Sequence, residues 1–284
     1  MGKTAFVLSG GAAKGAFQVG AINYLMGEKK IIPDIVIGIS TGSLQSVPVA
    51  QHDLKLMNDV WMNIKSMGDI CSTNLFRLLG LLFGTSNGIL EFKGLRKILG
   101  KVLDKEKLKN STTDIFVGTV DLQSTQLQYW DKNNIDLDKI LASCTIPIIF
   151  PPMKHNNSQL VDGGVRDIVP LKKAIEEGAD TIYAILCMPL NLQAERKVYK
   201  SIGDVVLRAI DDIMKNEIMR NDIKALKTKN ELREKHEYFK NKYRHIECKV
   251  IDPSRHFLDE LEFKHDKIMD GINHGYERAK EILK

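Results

Sequence analysis

Cysteine is scarce. Cys71, Cys144, Cys187 and Cys248 are the four in 284 residues, far apart, with no Cys-x-x-Cys pair and no Cys/His ligand spacing. That excludes a disulfide framework and a zinc site as expectations and reads as a reduced chain with no metal. Proline is rare as well: eight residues beside 21 glycines, without period or cluster, exclude collagen-like and linker-like segments. No apolar run is long enough to cross a bilayer, since the longest greasy stretch, Leu75 to Phe83, is nine residues and carries Arg77. Charge of one sign is weak too. Forty-one basic against 36 acidic residues leave +5, too little for a nucleic-acid partner but compatible with peripheral contact at an anionic membrane surface. The N-terminus passes from Lys3 through a short apolar run into Gly10 and Gly11, so it lacks the apolar centre of a signal peptide. Gly2 is followed by Phe6 where myristoylation wants Ser or Thr. The expected location is the cytoplasm.

What is present is ordinary for a soluble globular chain, 43% apolar and 27% charged. Thr4 to Leu8, Ile35 to Ile39 and Thr181 to Leu186 are continuous apolar runs that read as buried parallel strands. Ile115 to Val120 and Gln126 to Trp130 read as a hairpin, and Gln159 to Val161 and His245 to Ile251 as further strands. Between them lie helical patterns. Phe17, Gly20 and Tyr24 share a face, Thr41 to Gln51 is a helix with Pro48 interrupting or kinking it, and Met57, Val60, Trp61 and Ile64 recur at helical spacing. Leu95, Ile98, Leu99 and Val102 do the same, and helices are expected at Leu137 to Cys144, Pro170 to Glu177 and Glu262 to Lys284. Lys200 to Tyr243 is long, charged and helical. Strand and helix alternate, which predicts a single α/β domain over 1–284 with a largely parallel central sheet.

Two small-residue turns and one carboxylate carry candidate chemistry. Gly38-Ile39-Ser40-Thr41-Gly42 fits G-x-S-x-G between a strand and a helix. A sharp strand-to-helix turn lifts a serine Oγ clear of the sheet, and flanking glycines let the backbone pack through it. Chance would yield roughly 0.07 such matches in a chain of this glycine and serine content. Ser40 reads as a nucleophile or as a plain helix cap. Gly10-Gly11-Ala12-Ala13-Lys14-Gly15 also links strand to helix, where backbone N–H groups converge on an anionic oxygen. It is neither a P-loop nor an intact dinucleotide fingerprint, because no Gly-Lys-Ser/Thr follows and Ala12 replaces the central glycine. Lys14 opposes the helix dipole there, so it either meets an anion or points into water. Asp162-Gly163-Gly164 ends a strand and reads as a turn or, beside a serine elbow, as the general base. An aspartate in water is a weak base, so that role requires burial. The histidines (52, 155, 236, 245, 256, 265, 274) sit in no compact motif, though a Ser-Asp-His order is open in principle.

These motifs, in this order, resemble the patatin-like phospholipases, a family of serine lipid acyl hydrolases. Gly10 to Gly15 looks like the family's oxyanion loop, Gly38 to Gly42 like its nucleophile elbow, and Asp162-Gly163-Gly164 like its Asp-Gly-Gly/Ala motif. Ala142-Ser143-Cys144-Thr145-Ile146-Pro147, running to Phe150-Pro151-Pro152, looks like the segment before that aspartate, and Pro170 falls where a proline usually follows. The match spans about residues 4 to 186. The resemblance implies a three-layer α/β/α fold and a Ser40–Asp162 dyad without a catalytic histidine. It also implies an acyl-enzyme intermediate on a lipid ester substrate and no metal or organic cofactor. Ala12 departs from the family's third glycine, which matters if that position needs positive φ. Asp167 stands where the family often has asparagine. The implied activity is of phospholipase A type. The alternative is a catalytically weak lipid-binding or membrane-associated module, and a nucleotide-dependent oxidoreductase is a weaker third reading.

Leu75 to Phe83 reads either as a lid or interfacial anchor or as a buried core helix. Asn221 to Lys249, with nine Lys/Arg against five Asp/Glu, reads either as a lipid-facing or as a solvated surface. Oligomeric state is not legible.

Overall fold

The apolar runs do become strands. A computed structural model describes residues 2–192, 198–259 and 261–284. From the N-terminus the chain forms β1 (Lys3–Leu8), a 3-10 turn (Ala12–Gly15), α1 (Ala16–Ile22) with a π-helical continuation (Asn23–Glu28), and β2 (Ile35–Ile39). Next come α2 (Thr41–Ala50), α3 (Leu54–Asn63), α4 (Leu75–Leu82), α5 (Lys93–Val102) and α6 (Lys105–Asn110). The middle of the chain adds β3 (Asp114–Asp121), β4 (Leu127–Asp131), α7 (Leu137–Ser143), β5 (Met153–His155), β6 (Ser158–Asp162), α8 (Leu171–Glu176) and β7 (Ala179–Ile185). The C-terminal part holds α9 (Ile202–Leu207), a π-helical segment (Arg208–Met214), α10 (Lys215–Lys235), α11 (Glu237–Lys242), β8 (Glu247–Ile251) and α12 (His265–Ile282).

The sheet runs β5-β6-β3-β2-β1-β7-β8, with β4 paired to β3. Strands β3, β2, β1, β7 and β8 are parallel, and β4, β5 and β6 join antiparallel. Strand β1 shows why its run is apolar throughout. Phe6 and Leu8 enter a core with Phe17, Ile22 and Ile272, while Ala5 and Val7 enter another with Ala174 and Ile223. A strand buried on both faces has no polar alternation to display. Helices α1 and α12 therefore cover one face and α8 and α10 the other, a three-layer α/β/α architecture.

Helix α2 continues past Pro48 to Ala50. Helices α1 and α12 pack backbone to backbone: a Cβ on Gly20 would stand 1.8 Å from the Ile272 carbonyl oxygen, and one on Gly275 1.9 Å from that of Phe17. Gly20 is thus a packing residue within a helix, where its low propensity is outweighed. The C-terminal residues, which carry no motif, supply the last parallel strand and this covering helix. Among the described residues, no helix is long and apolar enough to cross a membrane.

Candidate active site

The chain turns back on itself beyond the carboxyl ends of the parallel strands, where ligands of open α/β sheets bind. Strand β2 ends at Ile39, and Ser40 enters α2 with φ 55° and ψ −125°. Positive φ on a non-glycine residue stores strain of order 1–3 kcal/mol and persists only where the surroundings hold it. Here they do. The Ser40 N–H donates to Ser143 Oγ at 3.0 Å, and the Ser40 carbonyl accepts from Ser43 N at 2.9 Å, Ser43 Oγ at 2.5 Å and Cys144 Sγ at 3.3 Å. Gly42 is required by close approach, since a Cβ there would lie 2.3 Å from the Leu8 carbonyl oxygen. Gly38 faces the Gly42 carbonyl in the same way.

Asp162 reaches this turn by a route that strand order alone conceals. Thr119 pairs with Gln128 of β4 on one edge and with Asp162 of β6 on the other, while Gly118 pairs with Ile39 of β2. Strand β6 thus takes over the edge of β3 where β2 leaves it, and the two strands meet end to end. Ser40 follows the residue opposite Gly118, and Asp162 stands opposite the next residue of β3. Asp162 is buried, 1% exposed. Its N–H donates to the Thr145 carbonyl at 2.9 Å, and its Oδ1 accepts from Gly164 N at 2.7 Å. Gly163 lies against Gly118, so the Asp-Gly-Gly turn packs on the same strand. Three consecutive residues, Ser143 to Thr145, therefore hold Ser40 at one end and Asp162 at the other.

The Gly10–Gly15 loop leaves β1 beside this pair. Gly10 adjoins Ser40, because a Cβ there would lie 2.9 Å from the Ser40 Cβ, and a Cβ on Gly11 would lie 2.3 Å from that of Cys187. Ala12 has φ 45°, so the position does take the left-handed conformation that the family's glycine would supply. Gly15 presses on Thr41. Lys14 does not point into water: it is buried, and its Nζ lies 3.3 Å from Asp212 Oδ1. It lines a second cavity with Cys187, Arg208 and Asp212, one that Ser40 does not line.

Ser40, Ala12 and Thr41 instead open on an apolar cavity of about 890 Å³, its open mouth included, walled by side chains such as Leu44, Trp61 and Phe150. Cys71 and Cys144 also line it. Burial pushes the Cys71 thiol up to about 11, and burial together with the Asp162 charge raises Cys144 further. Both remain thiols at neutral pH, the form with little nucleophilic character. Among the described residues, no histidine lines this cavity.

Reading the sequence missed the clamp. Gln18 Nε2 of α1 donates to the carbonyls of Ser9, just after β1, and Ile185 of β7, both at 2.9 Å, and Gln45 Nε2 of α2 to that of Gly15 in the loop at 3.2 Å. The available signal was a glutamine at a fully buried helix position in each case.

A family model described as Patatin-like phospholipase matches residues 6–175. The chain belongs to the patatin-like phospholipase family. Within this patatin-like chain the matched stretch covers Ser40, Asp162 and most of the sheet but ends before β7, β8 and α12. A curated protein, "Probable lipid hydrolase 463L" of Invertebrate iridescent virus 6, is 27% identical over 188 residues, which are 60% of this chain and 62% of that protein. The patatin-like chain thus spans less than two thirds of that relative's length. Among solved structures it is similar to VipD from Legionella pneumophila, with a TM-score of 0.47 and 13% identity over 99% of this chain and 66% of that one.

Proposed function

We propose that this patatin-like chain hydrolyses fatty-acyl esters of lipids with Ser40 as nucleophile and Asp162 as the base. The observation that carries this reading is the end-to-end meeting of β2 and β6 on β3, which brings a strained serine that lines an apolar cavity beside a buried carboxylate. Asp162 accepts the Ser40 proton as Oγ attacks the ester carbonyl, and the oxyanion forms against the N–H groups of Gly11 and Ala12. Collapse returns the proton to the leaving alcohol. Water, deprotonated in turn by Asp162, then releases the fatty acid from the acyl-enzyme. The cavity wall accommodates the acyl chain, whose burial favours a lipid ester over a short soluble one.

The test is Ser40→Ala in the full chain. Labelling by a fluorophosphonate probe and hydrolysis of a short-chain nitrophenyl ester should both vanish while the melting temperature holds. Hydrolysis near the wild-type level would remove Ser40 from the mechanism. The positive φ of Ala12 favours one alternative, a lipid-binding module of weak activity. That module would take lipid into the cavity and yet leave the probe unreacted.

A further inference from the structure

Helix α4 and Phe83, which continues it with an N–H bond to the Leu79 carbonyl, present apolar side chains to solvent. Phe76 is 87% exposed, Leu79 42% and Phe83 78%, and their i, i+3, i+7 spacing puts them on one stripe. The side chains of Leu75, Leu78, Leu81 and Leu82 lie outside the described residues. The stripe is incompatible with a fully buried core helix. Residues 72–91 form an excursion whose neck is closed by Ser72 and Glu91, which exchange N–H···O bonds of 3.0 and 2.8 Å. The residues flanking that neck, Cys71 and Phe92, line the Ser40 cavity. Ile148, 57% exposed, adds to the apolar surface, since the next carbonyl, Ile149, accepts from the N–H groups of Ile89 and Leu90 in the excursion.

Charge gathers on the helices that follow. Between Lys93 and Lys109 seven Lys and Arg face two acidic residues, an excess of five that equals the formal net charge of the whole chain. All seven are exposed. Helix α5 turns Leu95, Leu99 and Val102 inward and Lys93, Arg96, Lys97 and Lys101 outward. Glu91 ties the two helices, holding Arg77 of α4 at 2.5 Å and Lys93 of α5 at 3.6 Å. Lys93 and Arg96 stay exposed in their pairs with the half-buried Glu91 and the exposed Asp138, which do little to neutralise the patch.

We propose that the α4 stripe and the basic face of α5 and α6 together form a docking surface for an anionic lipid bilayer, beside the cavity that receives the acyl chain. An aromatic stripe inserts at the interface and a cluster of Lys and Arg meets the anionic headgroups. A second copy is a poor occupant, because an isologous contact would bring this basic face near its own image. The inference deepens the hydrolase reading by naming the surface that supplies the substrate. Binding needs no turnover, so the two stand or fall separately.

The experiment floats the full-length Ser40→Ala protein with vesicles of phosphatidylcholine alone, or of phosphatidylcholine and phosphatidylserine in equal parts. Binding is expected on the anionic vesicles and should weaken with salt. Phe76→Ser with Phe83→Ser should lower it by on the order of tenfold or more, and Lys97→Glu with Lys101→Glu by on the order of tenfold. In the Ser40 background both pairs should keep soluble-ester hydrolysis and the melting temperature. If the phenylalanine pair lowers the melting temperature, the lysine pair decides. Binding unchanged by the charge reversal, or no binding to anionic vesicles, overturns the proposal. So does a dimer that sedimentation shows to dissociate on removal of Phe76 and Phe83, since the face then belongs to a second copy.

Discussion

Lys14 and Asp212 are 198 residues apart in sequence and 3.3 Å apart in space. The contact joins the loop beside Ser40 to the π-helical segment Arg208–Met214, in a part of the chain that carries no motif. Asp212 also accepts from Arg208 Nη1 at 2.9 Å. Burial alone would raise its pKa, but the Lys14 charge and the Arg208 hydrogen bond outweigh burial and hold it below the usual carboxylate range. A depressed carboxylate stabilises the fold above its unfolded pKa and loses that contribution as pH falls through its folded one.

Asp212→Asn should therefore destabilise the protein at neutral pH, by about 1–3 kcal/mol for a pair neither fully exposed nor fully buried. Soluble-ester hydrolysis should fall with it, because Lys14 helps fix the loop. Melting temperatures taken from pH 7 down to pH 3 should converge for variant and wild type. A constant gap across that range would mean that the charge of Asp212 is not what stabilises.

Ala12→Gly should act in the opposite direction. A left-handed non-glycine residue costs about 1–2 kcal/mol, and glycine's extra freedom in the unfolded chain offsets about half of that. The melting temperature should rise by about 1–2 °C. The methyl group also lines the cavity beside Ser40, so hydrolysis should match or exceed the wild type. Activity below the wild type would show that the methyl is needed where it is.

The fold was largely legible because its signals are local. Ile35–Ile39 and Thr41–Ala50 follow the apolar run and the helix signal almost to the residue, and G-x-S-x-G lies between them. What stayed hidden is non-local. Nothing near Asp162 says that β6 would run antiparallel and take over the edge that β2 leaves, so the motif suggested a base without showing how it reaches Ser40. Strand β5 is three half-exposed or exposed residues and has no period to detect. Lys14 was ambiguous because its partner lies far along the chain. The exposed stripe on α4 was ambiguous because an apolar helix reads the same in a core and at a bilayer.

Asp167 offers a pH test of a different sign. Burial, reinforced by the Asp222 charge, raises its pKa from 3.8 to about 6, against hydrogen bonds from Tyr129 Oη at 3.2 Å and Val169 N at 3.1 Å and the Lys172 charge. An acid whose folded pKa is raised binds its proton more tightly in the folded state. Its presence therefore costs stability as pH rises from about 4 to about 6, by about 2–3 kcal/mol above that window. Asp167→Asn keeps one carbonyl oxygen for the Val169 N–H, puts an amide N–H where Tyr129 Oη can turn to accept it, and removes the charge. The melting temperature should rise by about 4 °C at pH 8 and change little at pH 4. Equal shifts at both values would assign the effect to packing.

The choice of base is the last test. Asp162 is buried opposite Thr119, its backbone tied to Thr145, which follows the two residues that hold Ser40. The histidines with described contacts are engaged elsewhere. His52 contacts Thr113 Oγ1 at 2.8 Å, the His155 ring packs on Trp130, and His274 packs against Phe17 and Phe257 with Nε2 3.0 Å from Ser254 Oγ. Asp162→Asn keeps the side-chain volume and the bond from Gly164 but cannot take the Ser40 proton. Acylation should fall by on the order of 10²–10⁴, read as the burst phase on a nitrophenyl ester. Single His→Gln changes at 52, 155, 236, 245, 256, 265 and 274 should leave most activity, each with a melting curve to separate loss of fold from loss of chemistry. One well-folded histidine variant as inactive as Ser40→Ala would replace the dyad with a triad.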